Sequence, residues 1–257
     1  MGKTVVIKCG GSVLSDLSSA FFTSLQAMYA QGMNIVLVHG GGPEIGQMLK
    51  RLQVHSEFVN GLRKTTKEVL DVVEMILAGK VNKQLVALLQ QHGLPAVGIS
   101  GLDAGLLEAA PIDFMKLGYV GEVVDVNAVF IHQLLQLRYI PVISPLGADK
   151  NGQKYNINAD TAAGAVAKAI KATQLLFVTD VPGILRDGTV VERATVEAIE
   201  QMIKDGVVTG GMIPKVKAAL AALSESLHEV MIVSGKTSFY QNGNWYGTTI
   251  QSEVGVY

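Results

Sequence analysis

The chain has 257 residues, 49% of them hydrophobic, and its 21 Lys and Arg nearly balance 22 Asp and Glu; this predicts a sizeable core and excludes a nucleic-acid-binding basic surface. A single cysteine, Cys9, excludes a disulfide framework within the chain and a cysteine-rich zinc site, and it fits a reducing compartment such as the cytoplasm. No apolar run approaches the ~18 residues that a membrane-spanning helix needs, so no membrane partner is expected.

Short apolar strands alternate with longer helices along the chain. The strand-like runs are rich in β-branched residues and lie at 4–7, 35–38, 96–99, 141–143 and 175–178. Apolar residues at helical spacing predict helices over 68–91, 128–137 and 159–172. This alternation is typical of an α/β fold in which helices cover both faces of a mostly parallel sheet.

Two further strand-like segments have no helix between their strands. They span 53–59 and 106–126, and the second carries Gly118 and Gly121 at predicted turns. Such segments favour β-hairpins. Because the chain shows no internal repeat and no linker rich in Pro or Ser, any two lobes must share one sheet, and a single domain is expected.

Glycine-rich loops follow the first two strands, with KCGG at 8–11 and HGGG at 39–42. At the carboxyl ends of parallel strands, glycine lets backbone N–H groups approach a ligand closely, and helix N-termini favour anions. Either loop alone fits a tight turn equally well, but the two together favour phosphate binding. The dinucleotide pattern G-x-G-x-x-G fails, because Ile45 occupies the position of the third glycine.

Two lysines are candidates for the chemistry of phosphoryl transfer, which depends on cations and N–H donors placed around the transferred group. Lys8 stands between an apolar strand and a glycine pair, although a solvated lysine is the ordinary alternative. Lys215 follows a second glycine pair at 210–211. Its rival Lys217 should face solvent, because it lies about 200° further around the predicted helix.

Polar residues at 155–160 immediately precede an apolar helix. Asp160 either provides a favourable charge at the helix N-terminus or orients lysines through charge-assisted hydrogen bonds. In the second case Asn158 would bind a polar substrate. Arg63 could hold a carboxylate through two parallel hydrogen bonds, although alone it is a weak indication. The five histidines have no metal-binding spacing, and Cys9 is better explained by packing than by reactivity.

In their order and spacing these motifs resemble the amino acid kinase family over essentially the whole chain. Within that family the resemblance is to members that phosphorylate the side-chain carboxylate of N-acetyl-L-glutamate in arginine biosynthesis. The motifs that carry it are KCGG at 8–11, HGGG at 39–42, NGLR at 60–63, LAGKVNK at 77–83, NINAD at 156–160, TDVPG at 179–183 and TGGMIPK at 209–215.

The resemblance implies a three-layer α/β/α sandwich in a single domain over residues 1–257. Residues 1–173 would bind N-acetyl-L-glutamate and residues 174–257 would bind ATP with Mg²⁺, which the nucleotide phosphates and water would hold without protein ligands. Lys8 and Lys215 would stabilise the transition state, and Asp160 would organise both lysines. The implied substrate-binding residues are Gly41, Gly42, Arg63, Asn156 and Asn158. The implied phosphate-binding residues are Gly10 and Gly11. The implied ATP-binding residues are Asp180, Val181, Pro182, Gly183, Ile184, Leu185, Val207, Val208 and Thr209.

Oligomeric state and regulation are also implied by the resemblance. Family members that arginine inhibits carry an additional N-terminal helix, whereas the first strand here starts by Thr4, so an arginine-insensitive homodimer is expected. The predicted helix at 68–91 is the natural interface, unless it packs only within its own subunit. Two alternatives stay open, namely a kinase for a carrier-linked or acylated aminoadipate and a non-catalytic sensor of nucleotides or amino acids. Intact Lys8, Asp160 and Lys215 argue against the sensor.

Overall fold

One central sheet organises the fold, which a computed structural model describes for residues 2–224 and 227–252. The strands are β1 (Thr4–Cys9), β2 (Asn34–His39), β3 (Phe58–Val59), β4 (Leu62–Arg63), β5 (Ala96–Ser100), β6 (Leu107–Pro111), β7 (Val120–Val126), β8 (Ile140–Ser144), β9 (Leu146–Ala148), β10 (Lys154–Ile157), β11 (Gln174–Thr179), β12 (Leu185–Arg186), β13 (Thr189–Val190), β14 (Arg193–Thr195), β15 (Glu229–Ser234), β16 (Tyr240–Gln241), β17 (Asn244–Trp245) and β18 (Thr248–Gln251). The α-helices are α1 (Gly11–Leu14), α2 (Ser19–Ala30), α3 (Gly42–Arg51), α4 (Lys67–Glu74), α5 (Asn82–Gln91), α6 (Phe114–Leu117), α7 (Ala128–Gln136), α8 (Ala159–Ala169), α9 (Val196–Lys204) and α10 (Met212–Ala222).

The central sheet has eight strands in the order β14-β18-β15-β11-β1-β2-β8-β5. Every neighbouring pair is parallel except β15 and β18, which are antiparallel. The five early strand predictions correspond to β1, β2, β5, β8 and β11, so the mostly parallel sheet is confirmed. Alternate residues of each strand face opposite sides, which explains why these strands are apolar throughout.

Helices cover both faces of this sheet. On one face Val6 packs in a core cluster with Ala163 of α8 and Ala219 of α10. On the other face Ile7 packs in a second cluster with Leu25 of α2 and Leu89 of α5. The three-layer α/β/α arrangement is therefore confirmed. Among the described residues, none of the helices has the length and apolar character required to cross a membrane.

The first predicted hairpin forms, but within narrower bounds. Only the end of the 53–59 segment is a strand, β3, which pairs with β4 around Asn60 and Gly61. Both turn residues have positive φ, 50° and 80°. Arg63 belongs to the second strand of this hairpin, just beyond the predicted segment.

The second predicted hairpin is part of a small closed barrel with the order β10-β7-β6-β9. Strands β6 and β7 pair antiparallel, but α6 connects them, so the connection is not a tight turn. Gly118 lies at a turn with φ 66°. The turn predicted at Gly121 is wrong, because this residue lies inside β7. A Cβ there would come within 2.7 Å of Tyr155 Cβ, so the glycine permits close strand approach.

The helix predicted over 68–91 has a change of helical type in its middle. Helices α4 and α5 are joined by a π-helical segment, Met75–Val81, and the whole run extends from Lys67 to Gln91. The Thr66 side chain caps the start by accepting a hydrogen bond from the Val69 N–H. Single π-helical turns are rare and often lie at functional sites.

Candidate active site

Lys8 and Asp160 meet at the carboxyl end of the central strand. Lys8 is next to last in β1, and Asp160 lies in the first turn of α8. Lys8 Nζ lies 2.7 Å from Asp160 Oδ1, and the two side chains are only 13% and 26% exposed. This pairing of the first predicted lysine with the predicted carboxylate holds the ammonium group in one place.

The backbones of the two glycine loops lie close to each other. A Cβ added to Gly11 would lie 2.9 Å from Gly41 N and 2.8 Å from Gly42 N, so only glycine leaves room there. These nitrogens stand at the N-terminus of α3, where an α-helix leaves its first N–H groups without intrahelical acceptors. Gly10 lies next to the cation, since its Cβ position is 3.5 Å from Lys8 Nζ. Together the loops provide donors suited to anionic oxygens.

Arg63 is held in a fixed orientation beside the second loop. Its Nη1 donates to Ser56 Oγ at 2.7 Å, and its Nη2 donates to the Gly42 carbonyl at 3.0 Å. The guanidinium also lies over the Phe58 ring, 4.6 Å from its centroid. Burial lowers the pKa of Arg63 from its usual value, but guanidinium remains charged in proteins. Among the described residues its other N–H groups have no hydrogen-bond partner, so they are available for a carboxylate.

Asn156 and Asn158, both predicted to bind the substrate, also make hydrogen bonds within the protein. Asn158 caps α8, because its Oδ1 accepts hydrogen bonds from Asp160 N at 2.8 Å and Thr161 N at 3.2 Å. In the part of the chain that the structure describes, its Nδ2 has no such partner. Asn156 Nδ2 donates to Thr65 Oγ1 at 3.1 Å, and that hydroxyl donates to the Arg63 carbonyl at 2.8 Å. Thr65, which no sequence motif marked, thus links Asn156 to the hairpin.

A cavity of about 190 Å³ joins these groups. Lys8, Asp160 and all five residues predicted to bind the substrate line it: Gly41, Gly42, Arg63, Asn156 and Asn158. Gly10 and Gly11 adjoin the cavity through Lys8 and Gly41. The fold therefore gathers the site residues that were predicted within 1–173 around one cavity.

Lys215 has a different partner from the one predicted. Its Nζ lies 3.1 Å from Asp180 Oδ1, and among the described residues no ion pair joins it to Asp160. Asp160 is therefore paired with Lys8 in this structure, and its role in organising Lys215 stays a prediction. Asp180 directly follows β11 and faces the first turn of α10, which explains the pairing. The hydrogen bond from Lys215 is the main cause that lowers the pKa of Asp180. As predicted, Lys217 is exposed.

The residues predicted to bind ATP lie after β11 and before α10; all are in loops except Leu185, which begins β12. The side chains of Ile184 and Val208 are each only 2% exposed, so they pack in the core and could meet a nucleotide only through the backbone. Gly183 has φ 154°, and a Cβ there would lie 2.7 Å from Thr248 Oγ1. Asp180 and Thr209 are exposed.

Cys9 is buried, and burial raises its pKa to about 12, which agrees with a packing role.

The sequence and the fold of this chain are both similar to those of known proteins. The sequence profile of the amino acid kinase family matches residues 3–234. An acetylglutamate kinase of Geobacillus sp. (strain WCH70) is 82% identical over 257 residues, which are 100% of both chains. An acetylglutamate kinase of Bacillus licheniformis is 51% identical over 250 residues, 97% of each chain. A solved structure from Streptococcus mutans UA159 is 33% identical with a TM-score of 0.85, covering 98% of this chain and 99% of that one.

Proposed function

This chain belongs to the amino acid kinase family, and from that premise we propose that it phosphorylates the side-chain carboxylate of N-acetyl-L-glutamate at the expense of ATP. The products are N-acetyl-L-glutamyl 5-phosphate and ADP, and the reaction belongs to arginine biosynthesis. The observation that carries the proposal is the single cavity around which Lys8, the α3 N-terminus, Arg63 and Asn158 converge. The names of the full-length relatives support the choice of substrate.

In the proposed reaction a carboxylate oxygen attacks the γ-phosphorus of ATP. A new O–P bond forms while the bond from phosphorus to the β,γ-bridging oxygen breaks, and its electron pair leaves with ADP. The carboxylate is already a nucleophile, so no general base is needed. Catalysis then depends on position and charge stabilisation. Lys8, fixed by Asp160, offers a cation to the transferred oxygens, and the Gly41 and Gly42 N–H groups offer neutral donors.

The substrate side of the site supports recognition of an amino-acid derivative. Arg63 would bind the α-carboxylate, because two of its nitrogens are anchored to Ser56 and Gly42 while the remaining N–H groups are available. Asn158 Nδ2 would donate to a substrate carbonyl, since Asn158 Oδ1 is committed to the cap of α8. Asn156 would act through Thr65, which couples it to the hairpin that carries Arg63.

The nucleotide would bind to residues 174–257, through the loops at 180–185 and 207–209. Its phosphates would compete with Asp180 for Lys215, whose exposed ion pair is exchangeable. Mg²⁺ would enter with the nucleotide and be held mainly by phosphate oxygens and water, as is common for this ion. It would neutralise charge on the β- and γ-phosphates during transfer.

Assembly and location form a further part of the proposal. A homodimer would pair the exposed face of the Lys67–Gln91 helical run with the same face of a second copy, because Met75 in this run is 57% exposed. The cytoplasm is the proposed location, since ATP is available there and Cys9 is a free thiol.

Trapping the acyl phosphate as a hydroxamate tests the proposed reaction. The purified chain is incubated with MgATP and hydroxylamine, and N-acetylglutamate is compared with glutamate, aspartate and a carrier-linked aminoadipate. We expect hydroxamate only with N-acetylglutamate. Reaction with the aminoadipate conjugate alone would identify the sibling kinase, and the absence of any product with every acceptor would favour a sensor.

A further inference from the structure

A chain of buried hydrogen bonds lies beneath the second glycine loop. His39 ends β2 and is 0% exposed. Its Nδ1 lies 2.9 Å from the Gly40 carbonyl oxygen, and its Nε2 lies 3.2 Å from Asn82 Nδ2. Asn82 Nδ2 also lies within hydrogen-bond distance of two carbonyls, Val142 at 2.8 Å and Ile99 at 3.3 Å, so its two hydrogens are shared among three acceptors. The loop that lines the substrate cavity is thus connected to the first residue of α5.

The direction of each hydrogen bond follows from groups that can act in only one way. A carbonyl only accepts, so His39 Nδ1 carries the hydrogen and Nε2 is the acceptor. Lysine only donates, so Lys83 Nζ, at 3.1 Å, fixes Oδ1 as the accepting end of the Asn82 amide. Burial is the main cause that lowers the pKa of His39 to about 4, which keeps the ring neutral near pH 7. The tautomer is therefore the Nδ1–H form.

The surrounding backbone is shaped around this connection. A Cβ at Gly98 would collide with Asn82 Oδ1 and lie 2.8 Å from Lys83 Nζ, so a larger residue there would displace both side chains. From the other side the π-helical segment Met75–Val81 packs on the loop: a Cβ at Gly41 would lie 2.7 Å from Leu77 Cδ2. The π-helical turn therefore touches the loop and directly precedes Asn82.

Peptide geometry connects the His39 contact to the chemistry of the site. The Gly40 carbonyl and the Gly41 N–H belong to one planar trans peptide, in which these two groups point in opposite directions. A hydrogen bond that holds the Gly40 oxygen against His39 must turn the Gly41 N–H away from His39. Gly41 lines the substrate cavity, and its nitrogen lies 2.9 Å from the Cβ position of Gly11.

We propose that His39 and Asn82 are positioning residues for phosphoryl transfer, which orient the Gly40–Gly41 peptide so that the Gly41 N–H can bind an oxygen of the reacting group. This inference rests on the proposed function. The Gly40 carbonyl and the Asn82 amide together select the imidazole tautomer, and the imidazole in turn holds the peptide. Neither side chain touches the substrate, so their effect should fall on turnover more than on substrate binding.

Two substitutions of His39 separate positioning from simple packing. In His39→Asn the amide nitrogen takes the place of Nδ1 and keeps a donor for the Gly40 carbonyl. In His39→Gln the amide takes the place of Nε2, and the donor to Gly40 is lost. We expect kcat of His39→Gln to fall about tenfold to a hundredfold with KM values within about twofold, while His39→Asn stays within about threefold of wild type. Equal kcat values for the two variants would overturn the proposal.

Ser144→Ala is the matched control. Ser144 is buried at the carboxyl end of β8, beside β2, and its Oγ has no hydrogen-bond partner among the described residues. This substitution removes a buried polar atom near the hydrogen-bond chain without breaking it, so kcat should equal that of wild type. A loss as large as that of His39→Gln would show that any change in this layer impairs turnover, and would overturn the specific role of His39.

A measurement that does not depend on activity completes the test. Nitrogen-15 NMR of the histidine rings should show a neutral His39 with hydrogen on Nδ1 in wild type, and a mixture of tautomers in Asn82→Ala. Hydrogen on Nε2 in wild type would overturn the proposal, even if the enzyme is active. Conversely, wild-type chain that shows the Nδ1–H tautomer but phosphorylates no acceptor would refute the proposed function and leave the hydrogen-bond geometry intact.

Discussion

Two lysine–aspartate pairs flank the candidate active site, and they differ in almost every physical respect. Lys8 and Asp160 are separated by 2.7 Å and are mostly buried, with exposed fractions of 13% and 26%. Lys215 and Asp180 are separated by 3.1 Å and are exposed to 32% and 59%. The first pair belongs to a walled cavity with several fixed donors. The second joins two loops at the side proposed for the nucleotide.

The difference suggests a division of labour between the two regions. An exposed ion pair contributes little, typically ~0–1 kcal/mol, so phosphate oxygens can replace its carboxylate at low cost. A mostly buried pair loses more when one partner is removed, because the remaining charge keeps its desolvation cost. The Lys8 side is therefore organised before the substrates arrive, whereas the Lys215 side is free to rearrange around the nucleotide.

Removing the cation of the buried pair should have the largest effect. Lys8→Met is expected to lower kcat by about a hundredfold to a thousandfold, because a fixed charge on the transferred oxygens is lost. The hydroxamate assay at saturating substrates measures it. Lys217→Met, on the exposed face of α10, is the control and should keep wild-type kcat. Turnover of Lys8→Met close to that of wild type would remove Lys8 from the chemistry.

Low pH should destabilise the folded chain through His39. Its pKa is about 4 in the folded chain and 6.5 without burial, so between these values the unfolded chain binds a proton that the folded chain lacks. The free energy of unfolding should therefore fall as pH drops from 6.5 to 4, by at most about 1.4 kcal/mol per pH unit. Urea unfolding over this range measures the slope. His39→Asn, which does not titrate there, should lose this contribution; an unchanged slope would contradict the assignment.

Specificity on the substrate side should depend on the shape of Arg63 as well as its charge. Arg63→Lys keeps the charge but loses the fork of donors, and we expect KM for N-acetylglutamate to rise about tenfold with KM for ATP unchanged. Arg138→Lys is a matched control, since Arg138 also donates from both Nη atoms, to the Gly32 and Tyr29 carbonyls, and lies over the Tyr29 ring away from the cavity. An equal rise in both variants would contradict the proposed clamp.

Replacing the carboxylate of each ion pair should have the smallest effect, and it compares the two pairs directly. Asp180→Asn should change the free energy of unfolding by less than about 1 kcal/mol. Asp160→Asn should cost about 1 kcal/mol more, because it leaves the mostly buried Lys8 ammonium without its charged partner. Urea denaturation of both variants measures the difference. Equal losses of unfolding free energy would mean that the two ion pairs contribute equally to stability, which would contradict the difference proposed between the two regions.

Much of the fold followed from local patterns. Apolar β-branched runs predicted β1, β2, β5, β8 and β11, because a strand buried on both faces must be apolar throughout. The helices around 68–91, 128–137 and 159–172 followed from the 3.6-residue period. Strands β14 and β18, at the edge of the main sheet, and the small barrel formed by β6, β7, β9 and β10 were not predicted. Strands β14 and β18 are short, and the barrel is closed by the pairs β10–β7 and β6–β9, which join segments distant in sequence.

The substrate-side residues were also visible in the sequence, since each sits in a motif tied to a strand end or a helix start. Lys8 was expected at the carboxyl end of a strand and Asp160 at the start of a helix, two kinds of position that border the ligand site in such folds. Thr65 carried no such signal, because its role depends on contacts with Asn156 and the Arg63 carbonyl. The hydrogen bonds between His39 and Asn82 join residues 43 positions apart, so neither could indicate the other.

The sequence by itself determined the fold class, the family and the residues gathered around the cavity, because strand burial, helical period and glycine loops are local properties of the chain. Only the tertiary structure decided which charges pair. Lys215 was expected beside Asp160 but meets Asp180, since that distance depends on how α10 packs against the end of β11. The orientation of the Gly40–Gly41 peptide was decided in the same way, by a buried imidazole whose partner lies on another helix.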